Sequence, residues 1–158
     1  MVGNKAWNEY VCEAIEKQFP KLKSTGYRLT SKDTIDYNCV AYAAGDEETW
    51  WWPDNLNQHY WPPDVPREET LEAFIQAYQF INYEICQDGY LEKGFQKIAI
   101  YTNLRKIPTH VALQLSNGKW TSKLGSNEDI EHNAPEGLAG DYPAYGSVAC
   151  FMKRGLAS

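Results

Sequence analysis

The spacing of apolar residues changes once along the chain, and this change constrains the fold more than any other feature. Up to residue 81, apolar side chains recur every three or four residues in the segments 7–19 and 69–81, which predicts amphipathic helices. Beyond it they alternate or form short runs, which predicts strands at 83–87, 97–102, 110–115, 119–124 and 147–153. Helices that precede strands predict an α+β fold, with N-terminal helices packed on a small antiparallel sheet.

Three longer segments lack such periodicity. The polar segment 27–36 predicts a loop or a short extended piece, and 126–141 predicts a loop with at most a turn of helix. The segment 50–66 contains three consecutive tryptophans and four prolines, which exclude regular structure. Loops of this length in compact domains are often functional. Its indoles either cover a small core or line a cleft for an extended peptide or sugar chain.

Composition limits the classes of partner. The 158 residues fit one domain, 1–158, with 43% apolar residues and a net charge of −6. Because Lys and Arg never form a run, we expect no nucleic-acid partner. No apolar stretch approaches the ~18 residues of a membrane span. The segment 1–19 lacks the apolar centre of a signal peptide, so we expect a cytoplasmic protein without a membrane partner. Nothing in the sequence indicates an oligomeric state.

The four cysteines are widely separated, and only one has distinctive surroundings. No Cys-x-x-Cys pair is present, so we expect no zinc knuckle, redox pair or disulfide, and neither metal nor cofactor. Cys12, Cys86 and Cys150 lie in apolar stretches typical of a core. Small residues follow Cys39 as far as Gly45, which predicts a short helix that begins at or near Cys39. A helix start favours the thiolate, the nucleophilic form of cysteine.

A nearby imidazole lowers the pKa of a thiol further and can carry its proton. The chain has three histidines, His59 in the tryptophan-rich loop, His110 at a strand start and His132 in a polar segment. From the residues alone, any of the three is a candidate partner for Cys39.

Two patches resemble one known superfamily. The segment 37–43, Tyr-Asn-Cys-Val-Ala-Tyr-Ala, looks like the nucleophile segment of CHAP amidases and is similar to the Tyr-Asp-Cys-Ser-Gly segment of NlpC/P60 peptidases. The segment 110–120, His-Val-Ala-Leu-Gln-Leu-Ser-Asn-Gly-Lys-Trp, resembles the histidine hairpin of NlpC/P60 peptidases. The tryptophan-rich loop and the segment 121–132 resemble an uncharacterised bacterial branch of these papain-like cysteine hydrolases. Val40-Ala41 stands where the family has Ser-Gly, a departure in the substrate region.

The resemblance implies a papain-like NlpC/P60-type fold and a cysteine hydrolase that cleaves an amide or peptide bond, as peptidase, amidase or deamidase. It implies Cys39 as nucleophile, His110 as base and Ser122 as the residue that orients the imidazole. Backbone N–H groups at the helix start, with Asn38, would stabilise the oxyanion, and a peptide or protein would be the substrate. The alternatives are a non-catalytic binding or immunity module on the same fold, or a thiol acyltransferase.

The third site residue depends on the register of the hairpin at Asn117-Gly118. A two-residue turn would place Thr121 and Lys123 on the His110 side, and the apolar pattern favours this register. A bulge would shift the register by one residue and bring Ser122 to that side, as the resemblance implies. We adopt Ser122, and the residues Asp129, Glu131 and His132 remain alternatives for orienting His110.

Overall fold

The computed structural model describes residues 5–31, 36–124 and 128–156, and in them one antiparallel sheet carries helices on both faces. The helices are α1 (Lys5–Gln18), α2 (Leu22–Thr25), α3 (Cys39–Ala43) and α4 (Leu71–Phe80), with a 3₁₀ turn at Pro135–Leu138. The strands are β1 (Tyr27–Ser31), β2 (Glu84–Cys86), β3 (Phe95–Thr102), β4 (Pro108–Gln114), β5 (Trp120–Lys123), β6 (Asp129–His132) and β7 (Ser147–Gly155). Across the sheet they run in the order β1-β6-β5-β4-β3-β7-β2.

Alternate residues of the central strands enter two separate cores, because neighbouring side chains of a strand point to opposite faces. Ile100 and Val111 lie on what we call the front face, which packs against α3, α4 and the tryptophan-rich loop. Tyr101 and Ala112 lie on the back face, which packs against α1, α2 and the 3₁₀ turn. The face of each β4 residue therefore decides which elements it can meet.

Side-chain caps fix where the front-face helices begin. Thr70 Oγ1 accepts a hydrogen bond from Ala73 N (3.2 Å) at the start of α4, and Asn38 does the same for Ala41 N (3.1 Å) at the start of α3. Gly45, with φ of 88°, follows α3 in the left-handed conformation that ends many helices. Among the described residues, no helix is long and apolar enough to cross a membrane.

The β4–β5 hairpin has the three-residue loop 116–118 instead of a two-residue turn. Leu115 N donates to Lys119 O (2.7 Å), and Gly118 N donates to Leu115 O (3.0 Å). Gly118 has φ of 87° and supplies the left-handed residue that this loop type requires.

This loop shifts the hairpin register by one residue from the two-residue alternative. Leu113 pairs with Thr121, so Lys123 lies on the front face and Ser122 lies on the back face. Within the described residues, β4 and β5 pair only at Leu113–Thr121 and Gln114–Trp120, and the strands diverge beyond these pairs.

The α+β class and the antiparallel sheet are confirmed, and the helices at 7–19 and 69–81 are present as α1 and α4. The expectation of a small sheet is wrong, because the sheet has seven strands in the described part of the chain. One strand, β6, was missed, whereas the short extended piece that was one alternative for 27–36 is present. The segment 27–36 contains β1, although its residues 32–35 lie outside the described ones.

The segment 126–141, predicted as a loop, contains β6, although its residues 126–127 lie outside the described ones. Its strand has one aliphatic residue, Ile130, too weak a pattern to detect. All four of its residues are buried, because β1 and β5 flank them.

Candidate functional site

The pocket beside Cys39 opens where β4 and β5 diverge. It has a volume of about 380 Å³, and its lining is mostly apolar. Cys39 and Lys123 reach it from the front face, whereas Leu124 and Tyr145 pack with the back-face core. The divergence of the strands thus lets one pocket contact both layers. The other lining residues are Asn38, Trp50, Trp52, His59 and Thr109.

Asn38 holds the start of α3 against the tryptophan-rich loop. Its Oδ1 accepts hydrogen bonds from Ala41 N and from Trp51 N, both 3.1 Å, and its Nδ2 donates to Trp51 O (2.7 Å). Both the oxygen and the nitrogen of the Asn38 amide therefore have structural hydrogen-bond partners. These contacts do not support the expected role of Asn38 in stabilising an oxyanion.

Opposing influences act on the Cys39 thiol. Protein atoms crowd around it, and this desolvation raises its pKa to about 11. The backbone N–H groups of Val111, Val40 and Cys39 itself lie near the sulfur and lower the pKa, as does the charge of Lys123. Because α3 has only five residues, these individual N–H groups matter more than a helix dipole. At neutral pH the thiol is protonated.

The tryptophan-rich loop fulfils both roles that its sequence allows. Trp51 and Trp61 are buried in the front-face core, and Trp51 Nε1 donates to Asp46 Oδ2 (3.0 Å). Trp50 is 38% exposed and lies beside the His59 ring, with centroids 5.8 Å apart. Trp50 and His59 both line the pocket, so this loop supplies core and cleft wall together.

His110 lies on the back face, and the structure does not bring it into hydrogen-bonding contact with Cys39. It pairs with Tyr101 and stacks on Tyr145, with centroids 4.4 Å apart and planes inclined by 8°. Its side chain is buried, and neither ring nitrogen has a hydrogen-bond partner among the described residues. Burial holds the His110 pKa well below its usual value, so the imidazole is neutral.

Ser122 shares the back face with His110 but bonds to a different histidine. Ser122 Oγ lies 2.8 Å from His132 Nε2, and His132 Nδ1 lies 3.0 Å from Ala134 O. Since a carbonyl can only accept, Nδ1 carries the proton and Nε2 accepts from the Ser122 hydroxyl. Burial lowers the His132 pKa to about 4. His132 is therefore the partner of Ser122 in this structure.

The other residues considered for orienting His110 lie on the front face. Asp129 Oδ2 accepts from the Tyr37 hydroxyl (2.8 Å), and Lys123 Nζ lies 4.8 Å from the Tyr37 ring centre. Glu131 pairs with Arg28 at 2.8 Å. Of these three residues, Lys123 alone lines the Cys39 pocket, and the contacts of all three are with residues other than His110.

Two residues important to the site were missed. Tyr145 lines the pocket and stacks on His110, and Thr109 Oγ1 donates to Tyr145 O (2.6 Å). Tyr145 lies in a segment without periodic pattern, so no sequence signal pointed to it. Thr109 directly precedes His110, but only the structure reveals its bond to the distant Tyr145. In the described ranges, no group of three or more His, Cys, Asp or Glu residues could hold a metal ion.

Comparison with known families and proteins gives one match. The model of a domain of unknown function, DUF7689, matches residues 28–153, which include α3, α4 and all the strands apart from the first residue of β1 and the end of β7. The comparison with curated proteins found no match, and the comparison with solved structures found none either. Since the match covers well over half of the 158 residues, the chain belongs to the DUF7689 family.

Proposed function

We propose that this chain is a cysteine hydrolase of the papain-like, NlpC/P60 kind, which cleaves an amide bond with Cys39 as nucleophile and His110 as base. The observation that carries the proposal is the convergence of three backbone N–H groups, of Cys39, Val40 and Val111, on one sulfur beside an apolar pocket. Backbone N–H groups beside a nucleophile are the kind of donor that stabilises both the thiolate and the oxyanion formed when the thiolate attacks a carbonyl.

The reaction follows from these positions. The imidazole takes the Cys39 proton, the sulfur bonds to the substrate carbonyl carbon, and the tetrahedral intermediate expels the amine, which leaves with the proton from the imidazolium. Water then attacks the thioester and gives its proton to the imidazole, and the acid product leaves as the thiol is restored. The balance is amide plus water to acid plus amine.

The pocket walls favour a peptide-like substrate with an apolar group on the acyl side. Trp50, Trp52 and Tyr145 present aromatic surfaces beside Cys39, and such surfaces bind extended apolar side chains well. A peptide or protein with an aliphatic or aromatic residue before the scissile bond is therefore the substrate class that we assign.

The test combines labelling with turnover. A peptidyl chloromethyl ketone with an apolar residue next to the reactive carbon should modify Cys39 before Cys12, Cys86 or Cys150, as mass spectrometry of tryptic peptides would show. Peptide anilides of the same sequence should be cleaved by the wild type and by Cys86→Ala, but not by Cys39→Ala. Cleavage that persists in Cys39→Ala would overturn the proposal, and so would a failure to label Cys39.

A binding module without catalysis is the second candidate, favoured by the raised pKa of the thiol and by the separation of Cys39 from His110. In that case the same peptides should quench or shift the fluorescence of Trp50 and Trp52 on binding, and they should remain uncleaved by every variant.

For the hydrolase, replacement of each histidine identifies the base. His110→Ala should abolish cleavage, whereas a loss of cleavage in His59→Ala alone would assign the proton transfer to His59.

A further inference from the structure

His110 is an anomaly in the back-face core. It is 1% exposed, yet neither ring nitrogen finds a hydrogen-bond partner among the described residues. A buried polar group without a hydrogen-bond partner destabilises a fold, so such a group needs an explanation. The neighbouring His132 has partners at both of its ring nitrogens, so the back face can provide hydrogen-bond partners for a buried imidazole.

His110 lies close behind the wall of the Cys39 pocket. Tyr145 stacks on the His110 ring and also lines the pocket. Leu124 lines the pocket as well and packs in the same back-face core. A side chain that lies directly on His110, that of Tyr145, therefore forms part of the pocket wall.

Cys39 approaches the same point from the front. The N–H group near its sulfur belongs to Val111, the residue that follows His110 in β4. Among the described residues, β4 and β5 do not pair at this level. The thiol thus lies near the backbone of the residue that follows His110, while the imidazole is on the opposite face of β4.

The backbone that carries Tyr145 is anchored, whereas its ring covers the imidazole. Tyr145 O accepts from Thr109 Oγ1 (2.6 Å), and Tyr145 N donates to Leu138 O (3.0 Å). Gly140 and Gly146 close the base of this loop with two hydrogen bonds of 2.8 and 2.9 Å. The ring also packs against Phe19 and Tyr101, with centroids 4.8 and 6.2 Å apart. A rotation of the Tyr145 side chain that uncovers His110 would break these ring contacts but none of the backbone hydrogen bonds.

We propose that the Tyr145 ring is a cover that keeps His110 out of the Cys39 pocket, and that a substrate group entering the pocket displaces it and completes the Cys39–His110 pair. This inference rests on the proposed function and adds its regulation. The resting thiol stays protonated and unreactive, and binding energy from the substrate assembles the site, as in other enzymes that close on their substrates. Tyr145 is a positioning residue, since it acts through His110.

The test measures the rate at which iodoacetamide alkylates Cys39 at pH 7 in the full chain. Tyr145→Ala should raise the rate at least about tenfold, the effect of lowering the thiol pKa by one unit. Tyr142→Ala is the matched control, because Tyr142 lies in the same loop and is 95% exposed. The double variant Tyr145→Ala/His110→Ala should return to the wild-type rate.

Two outcomes would overturn the inference: an unchanged rate in Tyr145→Ala, or an increase that survives the removal of His110, which would mean mere widening of the pocket. If Tyr145→Ala unfolds, as circular dichroism would reveal, Tyr145→Leu provides the same comparison. The pH profile is a further readout, since the opened variant should approach a plateau at lower pH than the wild type. If cleavage requires Cys39 but is the same in Tyr145→Ala as in the wild type, only this inference is contradicted. If alkylation depends on His110 but no peptide is cleaved, only the hydrolase proposal is contradicted.

Discussion

The Cys39 thiol is shaped by desolvation more than by its stabilising contacts. Three N–H groups and a lysine oppose the effect of burial, and still the pKa stands at about 11, above the ordinary 9.0. The raised pKa of this one thiol thus explains why Cys39 would be unreactive at neutral pH, although N–H groups and a lysine lie close to its sulfur.

This raised pKa gives a pH profile for the wild type. Because only the thiolate is alkylated, the Cys39 rate should climb about tenfold per pH unit from 7 to beyond 9. At pH 7 it should lie on the order of a hundredfold below that of a thiol with the ordinary pKa of 9.0, given the value of about 11. Iodoacetamide kinetics followed by mass spectrometry would measure it, and a plateau below pH 8 would contradict it.

At the scale of elements, Asn38 joins α3 to the tryptophan-rich loop. Removal of its three hydrogen bonds in Asn38→Ala should lower the free energy of unfolding by about 2–3 kcal/mol, the sum of a lost cap and lost loop contacts. Asn38→Asp keeps the acceptor and loses only the donor to Trp51 O, so its loss should be smaller. Urea unfolding would measure both, and equal losses would show that the cap contributes nothing.

The hairpin turn provides a second prediction for an element. Gly118 has φ of 87°, a conformation that strains an L side chain even though a Cβ there would meet only Leu91, at an ordinary contact distance of 3.7 Å. Gly118→Ala should therefore destabilise the fold by about 1 kcal/mol, whereas Gly118→Asn should be tolerated better. Gly155→Ala is the control, because Gly155 has open space and no such backbone conformation. If thermal unfolding shows the same loss of stability in Gly155→Ala as in Gly118→Ala, the result would argue against this turn geometry.

The elements also show how far the sequence predicts this molecule. Strong periodicity correctly predicted α4, and the apolar runs predicted β3 and β7, because burial of those faces leaves a direct pattern. The pattern could not show which β5 residue, Ser122 or Lys123, shares a face with His110. The answer depends on a shift of one residue in the hairpin register, and the backbone conformation of Gly118 sets that shift. The apolar pattern favoured the wrong register, since both faces of this sheet are buried and either assignment fills a core.

At the scale of the whole molecule, the buried histidines couple folding to pH. His110 and His132 have lowered pKa values, so the unfolded chain binds their protons more readily than the folded one. The stability that these neutral histidines give the fold is complete above the ordinary pKa of 6.5 and is lost as the pH falls. For His132 the loss continues until the pH has passed its folded pKa of about 4. Lowered carboxyl pKa values, as at Asp88 and Glu131, act in the same direction at more acidic pH.

The free energy of unfolding should thus fall between pH 6.5 and 4, by on the order of 3 kcal/mol from the His132 shift to about 4. The groups around His132 are Ser122, the Ala134 carbonyl and His110. His132→Asn should unfold with a flatter pH dependence in urea titrations. The exposed His59 is the control, and His59→Asn should keep the wild-type slope. Identical slopes in all three proteins would rule out this coupling.

The few pairs that join β4 to β5 give the sheet a seam. One ribbon consists of β1, β6 and β5, the other of β4, β3, β7 and β2, and Leu113–Thr121 and Gln114–Trp120 hold them together near the hairpin end. The pocket lies at the open end of this seam, so the angle between the two ribbons contributes to its width, together with the loops that carry Trp50, His59 and Tyr145. A change in the hairpin turn at Gly118, at the other end of the seam, would therefore alter the place where a substrate enters.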